Sequence, residues 1–282
     1  MKHGLSSSPR ILVVGDVMLD IEALGVSRSN VEEAGACYVG TEWVYLPGGA
    51  ANVASLLHKA GADVTLCGAV GKDWGALELE NLLEACDTYL SRSLPVTTIK
   101  LRAYEQGKVV PHTRLDREDP QLGNMVYPEG LRRYDAIVLS DYAKGVFSPE
   151  GPCGEWLQEA VLGVVDCPVV VDPHPRNGRE PMDWTGATLA TPNLSEWHAL
   201  GLGGAEWTAV TLGADGCDLR NAKGELVGHY ACAQAVSNPQ VVGAGDSFTA
   251  ACALGLAGGL EVTDVVQAAV SFAANYVHRG RA

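Results

Sequence analysis

Four consecutive residues have the types and the order that phosphoryl chemistry needs. Gly243, Ala244 and Gly245 stand where a strand or loop is predicted to turn into a helix, and a carboxylate, Asp246, follows at once. Small residues let backbone amides approach a ligand closely, and the amides at a helix start add to the positive end of the helix dipole. The segment therefore predicts a binding site for an anion such as a transferring phosphoryl group.

Asp246 lies next to this predicted anion site. A carboxylate there could orient an attacking hydroxyl and accept its proton late in the reaction. Aspartate is also a common helix-capping residue, so this segment alone supports a general base and a helix cap equally. Other parts of the chain have to decide between the two interpretations.

A second segment, LPGGAANVA, places Gly48 and Gly49 directly before a predicted helix. A glycine pair before a helix is more often turn chemistry than ligand contact. Asn52, on the first turn of that helix, could nevertheless hydrogen-bond a sugar hydroxyl.

Two further segments, LSDYAKG and TPNLSE, follow predicted strands. They place Asp141, Lys144, Asn193 and Glu196 at the carboxyl ends of those strands, where open α/β sheets bind their ligands. Both the location of these residues at strand ends and their polar side chains therefore indicate a role in ligand binding.

The elements that must position these residues alternate between strand and helix. Short β-branched runs occupy 11–15, 64–70, 136–139, 169–171 and 209–212, with helical spacing between several of them. This pattern predicts a doubly wound parallel sheet in an α/β protein. Alternating residues at about 34–47 and 97–116 predict half-exposed strands of a small β lid beside that sheet.

Composition and charge exclude several classes of protein. The chain has 282 residues, 47% of them hydrophobic, which fits one globular domain over residues 1–282. A net charge of −14 disfavours nucleic-acid binding. The eight cysteines include no Cys-x-x-Cys pair, and the first residues lack the apolar core of a signal peptide, so we expect a cytoplasmic protein with reduced thiols and no membrane partner.

Seven segments together resemble the ribokinase/PfkB family of carbohydrate kinases over roughly residues 10–279. GDVMLD, PGGAANVA, TTIKLR, RLD, LSDYAKG, TPNLSE and GAGD occur in the order found in one branch, the bacterial D-glycero-D-manno-heptose 7-phosphate kinases, including the kinase half of the bifunctional heptose kinase/adenylyltransferases. The resemblance implies a three-layer ribokinase-like fold with a small β lid. It also implies ATP and Mg²⁺ as cofactors, a small-molecule sugar phosphate as substrate and a homodimer formed through the lid.

Residue by residue, the resemblance assigns three sets of site residues. Asp246 would be the base above an anion hole formed by Gly243, Ala244 and Gly245. The substrate would be bound by Asp20, Gly48, Gly49, Asn52, Asp141 and Lys144, and its phosphate by Lys100, Arg102 and Arg114, although these three cations could equally be solvated lid residues. The nucleotide would be bound by Asn193, Glu196, Thr211, Gly213 and Gly216, with Mg²⁺ bridging phosphates instead of occupying a protein cage.

The chain departs from the family pattern at two places. Gln240, Val241 and Val242 precede Gly243 where relatives have an Asp and a Thr, so we expect no potassium activation. The segment between Glu196 and Val210 is short, so the adenine pocket is expected to be altered or more open.

The expected reaction is transfer of the γ-phosphoryl group of ATP to a heptose 7-phosphate, at its anomeric hydroxyl, with no adenylyltransferase domain in the chain. Two alternatives remain open. One is a ribokinase-type kinase of another sugar, sugar phosphate or nucleoside. The other is a catalytically weak sugar-binding homologue, which the departures before Gly243 and after Glu196 would explain.

Overall fold

The computed structural model describes residues 8–30, 35–119, 125–147, 157, 165–175, 182–200, 204–232 and 242–279. In these residues the strands are β1 (Arg10–Gly15), β2 (Val17–Asn30), β3 (Gly35–Gly49), β4 (Asp63–Ala69), β5 (Asp87–Ser91), β6 (Thr98–Glu105), β7 (Lys108–Val109), β8 (Leu115–Arg117), β9 (Ala136–Ser140), β10 (Val169–Asp172), β11 (Leu189–Ala190), β12 (Trp207–Thr211), β13 (Cys217–Asn221) and β14 (Leu226–Tyr230). The helices are α1 (Ala50–Lys59), α2 (Trp74–Leu82), α3 (Leu194–Leu200), α4 (Ala244–Ala257) and α5 (Val262–Arg279).

The main sheet has the strand order β14-β13-β12-β11-β10-β9-β1-β4-β5. Neighbouring strands run parallel from β5 through β4, β1, β9, β10 and β11 to β12, and β13 and β14 form an antiparallel edge. From β1 the chain first builds outward through β4 and β5 and later returns to the other side of β1 at β9. The doubly wound prediction is confirmed, and the reversal at β1 and β9 is where such sheets form a ligand cleft at their carboxyl ends.

Both faces of the main sheet are buried. Ile11 and Val13 of β1 point into one core cluster, which includes side chains of α1, α4 and α5. Leu12 and Val14 point into a second cluster on the opposite face. Continuous apolar strands are expected in a parallel sheet that is covered on both sides, and the three-layer α/β prediction is confirmed.

A second sheet, the lid, has the order β3-β2-β6-β7, and β8 pairs with β6. Strand β2 begins one residue after β1 ends, with only Asp16 between them. Strand β2 lies outside the two lid segments predicted from the sequence, although its polar residues Asp20 and Glu22 alternate with apolar Leu19, Ile21 and Ala23. The register places Asp20 beside Lys100 of β6, and Lys100 beside Asp116 of β8.

No helix in the described parts of the chain has the length and apolar character needed to cross a membrane.

Candidate active site

The predicted anion site forms the start of α4. Gly243 is the N-cap residue, with a φ of 83°, and a Cβ there would lie 2.6 Å from the Tyr276 hydroxyl and 2.9 Å from the Asn52 amide nitrogen. A side chain at position 243 is therefore excluded by both backbone conformation and space. A Cβ at Gly245 would meet nothing within 4 Å. The first turn of α4 is thus approachable beside Gly245.

Asp246 lies in that first turn and is only 4% exposed. Its carboxylate binds two side chains from distant parts of the chain. The Tyr142 hydroxyl donates to Oδ1 at 2.5 Å, and Nδ2 of Asn52 donates to Oδ2 at 2.6 Å. Gly243 holds the N-cap position and no side chain caps the start of α4, so the structure does not assign Asp246 as the helix cap. Its role as a general base stays a prediction.

Gly48 and Gly49 allow the lid to approach α1 closely. A Cβ at Gly48 would lie 2.8 Å from the carboxyl carbon of Asp20, and one at Gly49, whose φ is 57°, would lie 2.5 Å from the backbone oxygen of Asp16. Asp20 is buried on β2 beside this turn. The glycines therefore bring Asp20 and the amino end of α1 together, and Asn52 reaches Asp246 from the same helix.

The loop after β9 carries Tyr142 and Lys144. Asp16, which is 2% exposed, accepts hydrogen bonds from the backbone nitrogens of Tyr142 at 2.8 Å, Lys144 at 3.0 Å and Val146 at 3.2 Å. Asp141 accepts one from the nitrogen of Ala143 at 2.8 Å. Asp16 and Asp141 thus shape the loop.

Sequence reasoning missed Asp16 and Tyr142, although both lie inside segments that it quoted. Asp16 is the acidic residue of GDVMLD, and Tyr142 is the aromatic residue of LSDYAKG. A buried aspartate directly after a central strand, and an aromatic residue in a polar loop at a strand end, were the available signals. Their partners could be identified only once the fold was known.

Four cations meet where the lid faces the main sheet: Lys100, Arg102, Arg114 and Lys144. Burial lowers the pKa of Lys100, and the positive charges of Lys144, Arg114 and Arg102 lower it further, against the opposing effect of Asp20. The structure therefore brings the three predicted lid cations close enough to influence one another, and it adds Lys144 to them.

Carboxylates lie beside three of these cations. Arg102 is 3.9 Å from Asp20, and Nε of Arg114 donates to Asp116 at 2.8 Å. Lys144 lies 2.5 Å from Glu118. The Arg114 hydrogen bond is the largest cause of the lowered pKa of Asp116. The cation cluster is thus partly neutralised by acids of the lid and the segment that follows β8.

The residues predicted to bind the nucleotide lie at the other end of the sheet's carboxyl edge. The backbone nitrogen of Asn193 donates to Glu196 at 2.7 Å, and the side chain of Asn193 accepts from the nitrogen of Glu196 at 3.0 Å. This reciprocal pair is a capping box at the start of α3. Thr211 forms a parallel bridge with Asn193, so both lie at the ends of β11 and β12.

The loop after β12 contains both predicted glycines. Gly213 has a φ of 63° with open space around a Cβ, whereas Gly216 has a φ of 93° and a Cβ there would lie 2.0 Å from the backbone oxygen of Tyr230. Gly216 is therefore required by the turn itself. Gly213 borders open space next to the bridge between Asn193 and Thr211.

Two residues of β10 and its following loop connect the two ends of the site. Burial raises the pKa of Asp172 well above its usual value, and the charges of Asp246, Glu196 and Asp141 raise it further. His174 lies 3.3 Å from Glu196 through Nδ1, and its ring stacks on Tyr142 with 6.3 Å between centroids. Carboxylates from several strand ends therefore share one region.

Some sequence predictions concern residues that the structure does not describe, and another is matched only by the spacing of two elements along the chain. Gln240 and Val241 lie outside the described residues, so the expectation about potassium stays a prediction. Strand β12 begins at Trp207, soon after α3 ends at Leu200, in agreement with a short connection. Across the described residues, no three His, Cys, Asp or Glu side chains are arranged to hold a metal ion.

The chain is similar in sequence to proteins of a known family. The sequence pattern of pfkB family carbohydrate kinases matches residues 8–96 and 165–282. The chain is 32% identical over 295 residues to the bifunctional protein HldE of Coxiella burnetii (strain RSA 331), an alignment that covers 94% of this chain and 59% of that protein. The chain thus spans less than two thirds of that relative's length.

Solved structures share the fold at lower identity. A ribokinase from Thermotoga maritima has a TM-score of 0.72 at 21% identity, covering 95% of this chain and 93% of that one. Arabidopsis thaliana ribokinase, solved with ribose and ATP, has a TM-score of 0.67 at 17% identity, covering 98% and 94%. With the family pattern matched over most of its length, the chain belongs to the pfkB family of carbohydrate kinases, which transfer a phosphoryl group to an alcohol group of a sugar.

Proposed function

We propose that the protein is an ATP-dependent kinase of a heptose 7-phosphate, with the anomeric hydroxyl as the acceptor and the heptose 1,7-bisphosphate as the product. The observation that carries this proposal is the position of the cation cluster. Lys100 lies 4.7 Å from the centre of the Tyr142 ring, and the hydroxyl of the same tyrosine binds Asp246. A phosphate held by the cluster and a hydroxyl held by the base would therefore belong to one sugar.

The cluster has the chemistry that a sugar phosphate needs. A protein with a net charge of −14 repels an anionic substrate unless local cations reverse the field. The positive neighbours that lower the pKa of Lys100 form such a region, and a bound phosphate would offset their mutual repulsion. Arg102 and Arg114 can form charge-assisted hydrogen bonds to phosphate oxygens. With an unphosphorylated sugar, only the neighbouring carboxylates would offset this charge.

In the proposed reaction Asp246 accepts the proton of the anomeric hydroxyl, and the oxygen of that hydroxyl attacks the γ-phosphorus of ATP. The bond between that phosphorus and the bridging oxygen breaks, and ADP leaves with the electron pair. The amides at the start of α4 stabilise the charge on the transferring group. Asp20 and Asn52 hold sugar hydroxyls, while Asn193, Glu196, Thr211 and Gly213 border the nucleotide.

The residues present fit Mg²⁺ as a partner of ATP. The pKa of Asp172 is raised partly by the charges of Asp246, Glu196 and Asp141, and a divalent cation nearby would relieve this repulsion. Oxygen ligands and phosphates are what Mg²⁺ prefers. Glu196 and Asp172 are the residues that would hold it, through water, and it would neutralise charge on the ATP phosphates.

The lid supports a homodimer as part of the proposal. Trp43 is 50% exposed and Tyr45 is 37% exposed on β3, and Tyr45 packs edge-on against Trp74 with 6.1 Å between ring centroids. An exposed aromatic patch of this kind is typical of protein interfaces. A second copy of the lid is its proposed partner, and the cytoplasm is the proposed compartment.

The test is ATP turnover with a panel of sugars. Several heptose 7-phosphates, the corresponding free heptoses, a pentose and a nucleoside would be compared by kcat/KM, and the products identified by phosphorus NMR. A heptose 7-phosphate should be preferred by at least about tenfold over its free heptose, since charge-assisted bonds are worth about 1.5–3 kcal/mol. Preference for another acceptor would replace the substrate in the proposal, and no turnover with any sugar would support a binding protein.

A further inference from the structure

We propose that Tyr142 is the positioning residue of the base, and that it connects Asp246 to the lid cation Lys100. The inference rests on the proposed function, because it assigns Asp246 as the base. Tyr142 lies in the segment LSDYAKG but was not predicted as a site residue from the sequence. Tyr142 acts through Asp246 and is not itself required to touch the reacting atoms.

The first step is that Tyr142 is a hydrogen-bond donor to Asp246. Its hydroxyl lies 2.5 Å from Oδ1. Burial raises the pKa of the Tyr142 phenol well above its usual value, and the negative charges of Asp246 and Asp172 raise it further. The phenol therefore keeps its proton at physiological pH, and its hydroxyl donates a hydrogen bond to the Asp246 carboxylate.

The second step is that three contacts hold Tyr142, one on its backbone and two on its ring. Its backbone nitrogen donates to Asp16 at 2.8 Å, which anchors the loop. Nζ of Lys100 lies 4.7 Å from the ring centre, within the range of a cation–π interaction. The His174 ring lies nearly parallel to it, at 20°. These contacts restrict where the hydroxyl oxygen can lie relative to α4.

The third step concerns the orientation of the carboxylate. Rotation about the last bond of an aspartate side chain is only loosely restricted by its own torsional preferences. Asn52 holds Oδ2 and Tyr142 holds Oδ1, so the plane of the Asp246 carboxylate is set by two donors on different elements. A base with a fixed plane presents its lone pairs to the substrate hydroxyl in one direction, and misorientation is costly in proton transfer.

The fourth step links the base to the lid. Lys100 is 7% exposed, interacts with Asp20 of the neighbouring strand and lies over the Tyr142 ring. A lid displaced from the sheet would remove this cation from the ring. The position of Tyr142, and through it the orientation of Asp246, is therefore sensitive to whether Lys100 is in place.

The central experiment compares Tyr142→Phe with the wild type, using ATP and the best phosphorylated acceptor from the sugar panel. The variant keeps the ring and loses the hydroxyl. It should lower kcat by about tenfold or more while KM for ATP stays within about twofold. Loss of a donor destabilises the ionised carboxylate, so the acidic limb of the pH profile of kcat should move to higher pH.

The matched control is Tyr134→Phe. Tyr134 is also buried, and its hydroxyl accepts a hydrogen bond from Arg133 at 2.7 Å, directly before β9 begins at the opposite end of the sheet. This variant should leave kcat and the pH profile unchanged. Replacement of Tyr142 by 3-fluorotyrosine, a nearly isosteric and stronger donor, should move the acidic limb to lower pH even if Tyr142→Phe folds poorly.

The connection to Lys100 is tested by a double-mutant cycle. Lys100→Met and Tyr142→Phe should be non-additive in kcat, because the lysine acts on the base through the tyrosine. Additive losses would overturn the connection, and an unchanged kcat and pH profile in Tyr142→Phe would overturn the positioning role. If Asp246→Asn retained nearly full activity, the proposed function would fail instead, which separates the two failures.

Discussion

At the end of the site that contains Asp246, hydrogen bonds join residues far apart in the sequence, whereas the capping box at the start of α3 joins near neighbours. Asp246 binds Asn52, 194 positions away, and Tyr142, 104 positions away. Asn193 and Glu196 bind each other three positions apart. The proposed base is therefore oriented by the tertiary fold, while Asn193 and Glu196 mainly complete the start of their own helix.

Because of this difference, we expect the two ends of the site to respond differently when a segment moves or a residue is replaced. A contact between distant segments is lost when either segment moves, so the base end depends on the whole packed core. A capping box depends on one helix turn, so the bonds between Asn193 and Glu196 depend little on the rest of the fold. We expect substitutions at the base end to affect kcat and those at the nucleotide end to affect KM for ATP.

The largest expected effect comes from Asp246→Asn. Turnover should fall by a factor of about 10² to 10⁴, the range for a lost general base, because the amide cannot accept the proton. ATP affinity, measured by calorimetry, should stay nearly constant, since the nucleotide residues lie at the other end. A variant within a few-fold of wild-type turnover would break the comparison and restore the helix-cap interpretation.

The next effect tests the cation cluster. Arg102→Met should raise KM for the phosphorylated sugar by at least about tenfold, with kcat for any weak turnover of the free sugar nearly unchanged. Arg117→Met is the control, because Arg117 is also a lid cation but pairs with Asp73 at 3.1 Å, outside the cluster. Added salt should weaken sugar-phosphate binding more in the wild type than in Arg102→Met.

Equal losses for the phosphorylated and the free sugar in Arg102→Met would contradict phosphate recognition. Such a result would indicate instead that Arg102 supports the folding of the lid, where it lies 3.9 Å from Asp20. An effect of the same size in Arg117→Met would lead to the same conclusion.

A third, smaller effect concerns stability and Asp172, which lies between the two ends. Its folded pKa is raised, so the unfolded chain ionises this carboxyl at a lower pH than the folded protein does. The folded state consequently loses stability as pH rises from the ordinary aspartate range toward the raised value. Asp172→Asn should remove this loss and raise the free energy of unfolding at pH 8 by roughly 1 kcal/mol, the usual size of a single stabilising change.

Urea unfolding of Asp172→Asn and the wild type from pH 4 to pH 8 is the measurement. The two free energies should be similar near pH 4 and should separate as pH rises. Parallel curves over the whole range would show that the folded protein ionises this carboxyl as easily as the unfolded chain does.

The sequence predicted the main sheet better than the lid. The strands of the main sheet are continuous apolar runs, because both faces are buried, and such runs stand out in composition. Strand β2 was missed because its polar residues Asp20 and Glu22 face one side while Leu19 and Ile21 face the other. A strand with a half-polar pattern is hard to distinguish from a turn-rich connection when its partner strands are unknown.

At the site, residue types indicated chemistry but not contacts. Asp246 and the small residues before it were recognisable as a candidate anion site because small residues followed by a carboxylate at a helix start suit phosphoryl chemistry, although the same segment left the helix cap equally open. Tyr142 was not, because an aromatic residue in a loop has many. Only the fold brings Tyr142, Asn52 and Asp246 within hydrogen-bond distance, since their sequence separations carry no local signal.

The smallest expected effect tests how firmly the loop that carries Tyr142 is held. Ala143 has a φ of 56°, a left-handed conformation that costs alanine about 1 kcal/mol and costs glycine almost nothing. Ala143→Gly should therefore raise the free energy of unfolding by about 0.5 kcal/mol, after the larger entropy of the unfolded glycine chain is subtracted. The matched reverse change is Gly61→Ala, because Gly61 has a φ of 95° with nothing within 4 Å of a Cβ, so it adds strain without a clash. Urea unfolding should show opposite signs for the two variants.

Turnover of Ala143→Gly should stay within about twofold of wild type, because Asp16 still binds the backbone on both sides of position 143. A large drop in kcat with unchanged stability would show that the strained alanine, and not Asp16, sets the position of Tyr142 against Asp246.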